Sequence, residues 1–351
     1  MSSDHTWTSV LSHLVEGSDL SISESTWAMQ SVMAGEATSA QLAGLLVALR
    51  IKGETVDEIV GFRDAVLAAA LPLDVDPMAL DIVGTGGDPY GAVFNISSVA
   101  SVIAAASGIP VVKHGNRAAS STSGASDVLA ALGINLEIGP ERVAEILDET
   151  GITFAFAAMF HPGFRHAGPT RRELGISTLF NILGPLCNPA RPEASAVGVA
   201  SLERVPLMVG VFQTRGATAL VYRGDDGIDK LTTTGHSHIW EVSRGFVTEH
   251  DLNPADLGIP TASIESLLGS DAESNARVIR AVLAGERGPV RDIVLLNAAA
   301  GIAAFQLAQD PDLNRLPIVA RLRDAMDIAA MTVDSGAAAD KLDEWVAATN
   351  R

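Results

Sequence analysis

The stretch that most constrains the fold of this chain is residues 80–98, which read LDIVGTGGDPYGAVFNISS. It begins with apolar residues typical of a buried strand, and three glycines then remove side chains from the turn. Glycine allows positive φ and a close approach of the backbone to a ligand. Amide and hydroxyl side chains follow, just before the apolar run at residues 99–106. This order predicts an anion site, because the N–H groups and positive dipole end of a helix attract phosphate. It is also typical of a tight turn before a capped helix, so the stretch alone leaves both interpretations open.

The alternation of strands and helices after residue 80 predicts the architecture. Apolar runs predict strands at residues 109–113, 134–138, 152–156, 194–200 and 217–222, and a hairpin of 238–242 with 245–250. Late helices are predicted at residues 276–284, 290–305 and 337–348. A βαβα order of this kind implies a mainly parallel sheet that is covered by helices on both faces.

The first 77 residues carry helical patterns only. Three pairs there have the spacing of a capping box: Ser21 with Glu24, Thr38 with Gln41, and Thr55 with Glu58. A chain of 351 residues suggests two domains. We therefore predict an α/β protein with a small helical domain, residues 1–77, onto which residues 163–190 pack back. The large α/β domain comprises residues 78–162 and 191–351.

Composition and charge argue against several functions. The formal net charge of −18 opposes a nucleic acid partner, because such binding depends on Lys and Arg. Cys187 is the single cysteine, which excludes an intrachain disulfide and a cysteine-based zinc site and fits a reducing compartment. Residues 1–10 lack the features of a secretion signal, and no uninterrupted apolar span reaches membrane length. We expect a cytoplasmic location and no membrane partner.

A second polar motif, VVKHGNRAASS at residues 111–121, follows the next predicted strand. Its polar residues are Lys113, His114, Asn116, Arg117, Ser120 and Ser121. Ligands in open α/β sheets bind beyond the carboxyl ends of the strands, so this motif and the glycine turn should face one crevice. Cations, an amide and hydroxyls opposite a glycine turn describe a pocket for a multiply phosphorylated ligand.

Several motifs follow one another along nearly the whole chain: GTGGD (84–88), FNIS (94–97), KHGNR (113–117), FHP (160–162), RREL (171–174), FNILGPLCNPAR (180–191), DDGID (225–229) and LLNAAAG (295–301). Together they resemble the anthranilate phosphoribosyltransferase family, and the first two are also similar to related nucleoside phosphorylases. The resemblance implies that anthranilate attacks C1 of phosphoribosyl pyrophosphate and that pyrophosphate leaves. It further implies Mg²⁺, a role in tryptophan biosynthesis, and a homodimer joined through the helical domains.

The resemblance also implies roles for particular residues. The phosphoribosyl pyrophosphate site would comprise Gly84, Gly87, Asp88, Asn95, Ile96, Ser97, Ser98, Lys113, His114, Gly115, Asn116, Arg117, Ser120 and Ser121. The anthranilate site would comprise Gly84, Asn116, His161 and Arg171, and the Mg²⁺ ligands would be Ser97 and Asp229. Arg171 offers a planar fork for a carboxylate, with Arg172 on the surface. No catalytic residue is assigned. His114 is a candidate, and the alternative is that its side chain is only packed and hydrogen-bonded.

Three departures from the family pattern stand out. The loop after Asp88 is one residue longer and lacks the hydroxyl before FN, which should weaken phosphate binding. Ala158 and Phe164 occupy positions in the anthranilate channel where the family often has proline and tyrosine. Lys230 follows Asp229 where the family has glutamate, and lysine cannot ligate magnesium. Lys230 therefore predicts one of two outcomes. Either the second metal is lost and the Lys230 ammonium partly neutralises pyrophosphate, or the activity is impaired.

Two alternative functions stay open at this point. One is a related nucleoside phosphorylase, which KHGNR and Arg171 disfavour. The other is a non-catalytic relative that binds nucleic acid, which Lys230 favours and the overall acidity opposes, because such a protein should carry a basic stripe.

Overall fold

The computed structural model describes residues 5–91, 93–116 and 124–351. Four helices precede the first strand: α1 Trp7–Val15, α2 Ile22–Ala34, α3 Ser39–Lys52 and α4 Val56–Ala68. The three predicted capping boxes are confirmed at the starts of α2, α3 and α4. In each box the hydroxyl accepts from the third helical N–H, and the side chain there accepts from the cap N–H. Each helix start is thus fixed by its own local sequence.

A seven-stranded sheet forms the centre of the remaining chain. Its strands are β1 Leu80–Gly84, β2 Val111–Gly115, β3 Ile152–Phe156, β4 Ala194–Gly198, β5 Thr218–Gly224, β6 Ser237–Ser243 and β7 Phe246–Leu252. The spatial order is β3-β2-β1-β4-β5-β6-β7. The first five strands run parallel, and β6 and β7 are antiparallel. The prediction of an α/β fold with a mainly parallel sheet is confirmed.

Helices connect these strands and cover the sheet. They are α5 Ile96–Ala106, α6 Ala125–Ala131, α7 Pro140–Thr150, α8 Ala157–Phe160, α9 Phe164–Leu174, α10 Phe180–Leu183, α11 Val205–Arg215, α12 Ala272–Leu283, α13 Pro289–Gln309, α14 Ile318–Asp334 and α15 Ala337–Thr349. Short 3-10 helices span Gly184–Leu186, Leu202–Arg204, Pro254–Leu257, Ile264–Leu267 and Pro311–Arg315.

The strand order creates a topological switch point between β1 and β4. The chain adds β2 and β3 on one side of β1, then returns to add β4 and its successors on the other side. Ligands of open α/β sheets bind in the crevice at such a point. Here β1 ends at Gly84, which is paired in register with Gly198 at the end of β4. The sheet therefore presents two adjacent glycines at the mouth of the crevice.

Helix α13 is a core helix that packs against α5 and the middle of the sheet. Gly301 permits this close packing, because a methyl group there would lie 2.5 Å from Cδ1 of Ile82. Among the described residues, α13 is the one helix long and apolar enough to cross a membrane, and 83% of its apolar window is buried inside the protein. Arg291, Asp292 and Asn297 interrupt its apolar residues, so the expectation that no uninterrupted apolar span reaches membrane length stands.

One predicted strand is absent, one helix lacks a prediction, and the confirmed hairpin of β6 and β7 turns one residue later than expected. Residues 134–138 form no strand; their side chains alternate between buried and exposed, but the amide of Asn135 donates to Oγ1 of Thr349 rather than to a neighbouring strand. Helix α14 was not predicted, and it begins after Pro317 without a capping side chain. The hairpin turns at Arg244 and Gly245, both with positive φ, and not at 243–244.

The N-terminal helices and one face of the sheet share a hydrophobic core. Leu45 and Phe62 from the helices belong to the same buried cluster as Val197 and Val221 from the sheet. Helix α9 packs against α2 and α3. This packing supports the proposal that residues 163–190 belong with the helical domain of residues 1–77, while residues 78–162 and 191–351 form the other domain.

Candidate active site

A cavity of about 340 Å³ opens at the switch point, beyond the carboxyl ends of β1, β2 and β4. Its lining includes most of the glycine turn, the start of α5, the end of β2, one side of α9 and the segment after β5. The lining residues that bear on its chemistry are Gly84, Gly86, Gly87, Asp88, Asn95, Ser97, Lys113, His114, Phe164, Arg171, Phe180, Asp229 and Lys230. The two sequence motifs thus face one crevice, as predicted.

The glycine turn holds its backbone open toward the cavity. Gly86 and Gly87 have φ of 68° and 80°, in the left-handed region that favours glycine. A side chain at either position would meet no atom within 4 Å among the described residues, so both face open space. Asp88 closes the turn, because its Oδ1 accepts from the amides of Tyr90 (2.9 Å) and Gly91 (2.8 Å). The turn is shaped for a ligand that approaches the backbone.

The start of α5 lacks the side-chain cap that the alternative interpretation required. Asn95 occupies the cap position but makes no capping hydrogen bond. Its Oδ1 instead accepts from Nδ2 of Asn275 at 2.9 Å. The amides of Ile96 and Ser98 donate to the carbonyl oxygens of Phe94 and Asn95, so α5 offers an anion its positive dipole end beside Ser97, which lines the cavity.

Lys113 brings a buried cation to the same wall. Its Nζ donates to the carbonyl oxygen of Ile82 at 2.6 Å and lies 3.4 Å from Oγ of Ser97. Burial lowers the pKa of Lys113 to about 8, although the nearby Asp81 acts in the opposite direction. Burial likewise raises the pKa of Asp81 to about 6, against the effect of Lys113 and of its hydrogen bonds. The ammonium therefore remains mostly protonated at neutral pH.

A second lysine lies at the opposite side of the glycine turn. Nζ of Lys230 contacts Oδ1 of Asp229 at 2.5 Å, and both side chains are largely buried. This pair packs directly on the two glycines at the strand ends. A methyl group at Gly84 would lie 2.0 Å from Oδ2 of Asp229, and one at Gly198 would lie 1.6 Å from the Asp229 carbonyl oxygen. Glycine is required at both positions for the segment to approach the sheet.

The far end of the cavity is aromatic and carries a guanidinium. The ring of Phe164 packs edge-on against that of Phe180, with centroids 5.8 Å apart. Arg171 lies over the Phe180 ring, 4.8 Å from its centroid. Burial lowers the pKa of Arg171, and within the described ranges no carboxylate is within ion-pair distance of it. Arg172, its neighbour, is exposed, so Arg171 is the arginine that faces inward, as predicted.

Two buried histidines lie behind this aromatic end. Nδ1 of His114 is 2.9 Å from the carbonyl oxygen of Gly184, and Nε2 of His161 is 2.8 Å from that of Cys187. Their rings are 5.3 Å apart. Burial and the neighbouring His161 lower the pKa of His114 to about 3, and burial lowers that of His161 to about 4. Both imidazoles are neutral and act as hydrogen-bond donors to backbone carbonyls, which makes His114 a poor general base.

These histidines predict acid sensitivity of the fold. A base with a lowered folded-state pKa binds fewer protons when folded, so stability is lost as pH falls below its unfolded pKa of about 6.5. We expect the free energy of unfolding, measured in denaturant, to fall between about pH 6.5 and pH 4. His161→Gln removes one of these two titrating groups. The slope of the unfolding free energy against pH should therefore decrease by the amount that corresponds to about one proton per molecule. The exposed His166→Gln should leave the slope unchanged; equal slopes for wild type and His161→Gln would contradict the assignment.

The predicted site residues divide into three groups. Those in the cavity lining are Gly84, Gly87, Asp88, Asn95, Ser97, Lys113, His114, Gly115, Asn116, Arg171, Asp229 and Lys230. Ile96, Ser98 and His161 are buried behind the lining. Arg117, Ser120 and Ser121 lie outside the described residues. Of the departures in the anthranilate channel, Phe164 lines the cavity, whereas Ala158 is exposed and does not.

Sequence reasoning missed two groups of lining residues. Phe180, Asn181 and Pro185 line the aromatic end, within the quoted FNILGPLCNPAR motif. Thr85 also lines the cavity, and it joins the two central strands: its amide donates to the Gly198 carbonyl oxygen at 2.9 Å, and its hydroxyl accepts from the amide of Ala200 at 3.2 Å. Its position inside GTGGD was the signal that could have identified it.

The fold and the cavity define a class of protein: an α/β enzyme that holds a phosphorylated small molecule at a switch point, beside an aromatic pocket for a second ligand. Residues 8–70 match the model of the glycosyl transferase family, helical bundle domain, and residues 76–339 match that of its a/b domain. The chain is 76% identical to the anthranilate phosphoribosyltransferase of Clavibacter michiganensis subsp. michiganensis, over 99% of each chain.

Solved structures agree with these sequence comparisons. The anthranilate phosphoribosyltransferase of Thermus thermophilus superimposes with a TM-score of 0.89 at 40% identity, over 97% of this chain and 99% of that one. The enzyme of Saccharomyces cerevisiae, in complex with PRPP and Mg, superimposes with a TM-score of 0.88 at 25% identity, over 99% of each chain. The chain belongs to the anthranilate phosphoribosyltransferase family, as its motifs predicted.

Proposed function

We propose that this enzyme transfers the phosphoribosyl group of phosphoribosyl pyrophosphate to the amine of anthranilate, releasing pyrophosphate. The product is N-(5-phosphoribosyl)anthranilate, an intermediate of tryptophan biosynthesis. The observation that carries the proposal is a single cavity with two chemically different ends. One end has a glycine turn, a helix N-terminus and two lysines, and the other has an inward guanidinium over the ring of Phe180, against which Phe164 packs.

The phosphates of the donor bind at the first end. The backbone of Gly87, the positive end of α5 and the ammonium of Lys113 supply the hydrogen bonds and positive charge that phosphate oxygens need. Asp88 shapes the turn, while Asn116 and the predicted Arg117, Ser120 and Ser121 complete the donor site. Ile96, Ser98 and Gly115 support it as part of α5 and β2.

Anthranilate binds at the second end. Its carboxylate pairs with the planar guanidinium of Arg171, and its ring packs against Phe164 and Phe180. His161 contributes from behind: its ring lies 5.1 Å from that of Phe164 and fixes the orientation of that wall. Gly84 and Asn116, at the boundary between the two ends, bring the amine to the ribose.

The reaction then needs positioning and charge stabilisation more than proton transfer. Displacement at C1 leaves positive charge on the ribose and negative charge on the departing pyrophosphate. The cations at the first end stabilise the pyrophosphate, and the pocket holds the amine in line with C1. The low pKa of His114 excludes it as a strong general base, so we assign no proton acceptor among the buried histidines.

Of the two residues predicted to bind Mg²⁺, Ser97 is suitable in this structure and Asp229 is not. Ser97 presents a hydroxyl oxygen to the cavity at the first turn of α5, and we assign it to Mg²⁺ together with the donor's own phosphate oxygens. The ion, when bound, neutralises phosphate charge. Asp229 fits poorly, because the ammonium of Lys230 bound to its Oδ1 neutralises the carboxylate and repels a cation, while the amide of Gly86 binds its Oδ2. Nor do the described residues contain a group of three or more His, Cys, Asp or Glu side chains placed to hold a metal.

We also propose a cytoplasmic homodimer joined through the helical domain. Val15 and Ile51, at the ends of α1 and α3, expose 80% and 81% of their surface. We place the interface there because these are the two most exposed large hydrophobic side chains among the described residues. We propose no nucleic acid or membrane partner.

Anthranilate fluorescence tests the function. Purified protein with anthranilate, phosphoribosyl pyrophosphate and Mg²⁺ should show a fluorescence decay matched mole for mole by pyrophosphate release. Absence of decay together with phosphate-dependent cleavage of a nucleoside would establish the phosphorylase alternative instead. Absence of both would favour the non-catalytic relative.

Arg171→Ala tests the orientation of anthranilate. Loss of a charge-assisted hydrogen bond costs about 1.5–3 kcal/mol, so the KM for anthranilate should rise roughly 10- to 100-fold. The KM for the sugar donor should change little. The matched control is Arg172→Ala, which removes the same group from the exposed neighbouring position. An equal rise in both KM values would contradict the assignment of Arg171.

A further inference from the structure

Each oxygen of the Asp229 carboxylate already accepts a hydrogen bond. Its Oδ1 accepts from Nζ of Lys230 at 2.5 Å, and its Oδ2 accepts from the amide of Gly86 at 2.8 Å. A divalent cation at this carboxylate would be repelled by the ammonium ion that is bound to the same group. The side chain is therefore arranged to hold Lys230 and the turn together.

The ammonium of Lys230 is held and still has capacity to bind. Within the described part of the chain its hydrogen bonds go to the Asp229 carbonyl oxygen (2.9 Å) and to Oδ1 of the same residue. An ammonium has three N–H donors, so one remains for a ligand. Lys230 lines the cavity, and a methyl group at Gly84 would lie 2.8 Å from its Nζ. The remaining donor is thus at the end of β1, beside the glycine turn.

Two lysines consequently flank the turn from opposite sides. Lys113 is held by Ile82 and Ser97 on the side of α5, and Lys230 is held by Asp229 on the side of β4. Neighbouring carboxylates at Asp229 and Asp81 offset part of the positive charge of the two ammonium groups. A ligand with several negative charges between these groups would gain from both.

Two other carboxylates lie nearby and are candidate ligands for a second cation, but each already contacts other side chains. Asp226 accepts through Oδ2 from the hydroxyls of Thr232 and Thr234, each at 2.7 Å. Asp225 faces His238, with 3.5 Å between Oδ1 and Nε2. Neither carboxylate lines the cavity. The segment after β5 therefore offers the cavity an ammonium and no free carboxylate.

We propose that the Lys230 ammonium binds the pyrophosphate group of the donor directly and takes the place of a protein-held metal ion at this side of the site. The proposal rests on the proposed function. Asp229 acts as a positioning residue that orients Lys230, and Ser97 remains the ligand for Mg²⁺. The enzyme then needs less Mg²⁺ to bind pyrophosphate than a site built on free carboxylates would need.

Calorimetry with inorganic pyrophosphate tests the proposal without turnover. We expect wild type to bind pyrophosphate in EDTA, with a Kd that changes less than about 3-fold on addition of Mg²⁺. Lys230→Met should weaken binding in EDTA roughly 10- to 100-fold, the value of one charge-assisted hydrogen bond. Lys230→Arg, which keeps the charge, should recover part of the loss. Thermal unfolding of each variant checks that it is folded.

Spectroscopic counting of Mn²⁺, used as a probe for Mg²⁺, gives a second readout. In the presence of pyrophosphate we expect one bound Mn²⁺ in wild type and two in Lys230→Glu, in which a second carboxylate replaces the ammonium. The matched control is Lys341→Glu, the same charge change on α15, where Nζ contacts the Thr150 carbonyl oxygen and Glu344 outside the cavity. It should bind pyrophosphate and Mn²⁺ as wild type does.

Three outcomes would overturn the proposal: unchanged pyrophosphate binding in Lys230→Met, strict dependence of wild-type binding on Mg²⁺, or two Mn²⁺ ions in wild type. These outcomes are independent of the proposed function, which fails only if anthranilate is not consumed. If the chain bound pyrophosphate through Lys230 but did not consume anthranilate, the role of Lys230 would stand and the proposed function would be rejected.

Discussion

Lys113→Met is expected to lower kcat/KM for the sugar donor roughly 10- to 100-fold, because one N–H of its ammonium remains for the ligand and a charge-assisted hydrogen bond is worth about 1.5–3 kcal/mol. The physical reason is that the ammonium reaches the cavity from β2 already fixed by Ile82 and next to Ser97. Steady-state kinetics with varied donor, and calorimetry of donor binding, measure the effect.

The same substitution should also reduce stability. It leaves Asp81, which is 1% exposed, without the nearby positive charge that favours its ionised form, so we expect the unfolding midpoint to fall. A control must separate this effect from donor binding. Lys52→Met removes another buried lysine, which pairs with the fully buried Glu58 in the helical part of the chain. It should lower the unfolding midpoint but leave the donor KM unchanged; a comparable loss of donor binding in both variants would contradict the role of Lys113.

Gly198→Ala is expected to abolish most donor binding through a residue that contacts no substrate. The added methyl group would lie 1.6 Å from the Asp229 carbonyl oxygen and 2.3 Å from its carbon, so the backbone of that segment must move. Overpacking of this kind costs about 1–3 kcal/mol of stability. The larger effect should be on function, because Lys230 moves with the segment, and we expect a loss of kcat/KM for the donor of at least about 100-fold.

Gly235→Ala is the matched control for this prediction. It makes the same substitution further along the chain, where a methyl group meets no atom within 4 Å in the described structure. Its kinetics and unfolding temperature should stay close to wild type. If Gly198→Ala also behaved as wild type, the contact between the glycine pair and Asp229 would not position the site.

Much of the site was predictable because short motifs determine it locally. The glycine turn, the start of α5 and the end of β2 each follow from residues adjacent in sequence, and a parallel sheet then brings them to one edge. The inward orientation of Arg171 also follows from its helix register. The resemblance of several motifs to one family made the function predictable, and the comparisons confirm the family.

Other features depend on contacts between distant residues and could not be predicted. The engagement of Asp229 by Gly86 joins positions 143 residues apart, and it depends on the glycine pair at the strand ends. Residues 134–138 have the alternation of a strand, which reports burial of every second side chain and not pairing with a neighbour. Helix α14 lacks a capping residue at its start, so the usual signal for a helix N-terminus is missing.

The position of β1 at the centre of the switch point has a consequence for the order in which the site is completed during synthesis. β1 and β2 leave the ribosome long before β4, with which β1 pairs along its other edge at residues 194–198. Until that partner arrives, one edge of β1 is unpaired, and the segment carrying Lys230 is synthesised later still. Contacts of such large sequence separation form late. A nascent chain that ends before residue 230 therefore contains the whole glycine motif but not the wall opposite it, and donor binding reports that the chain has folded to completion.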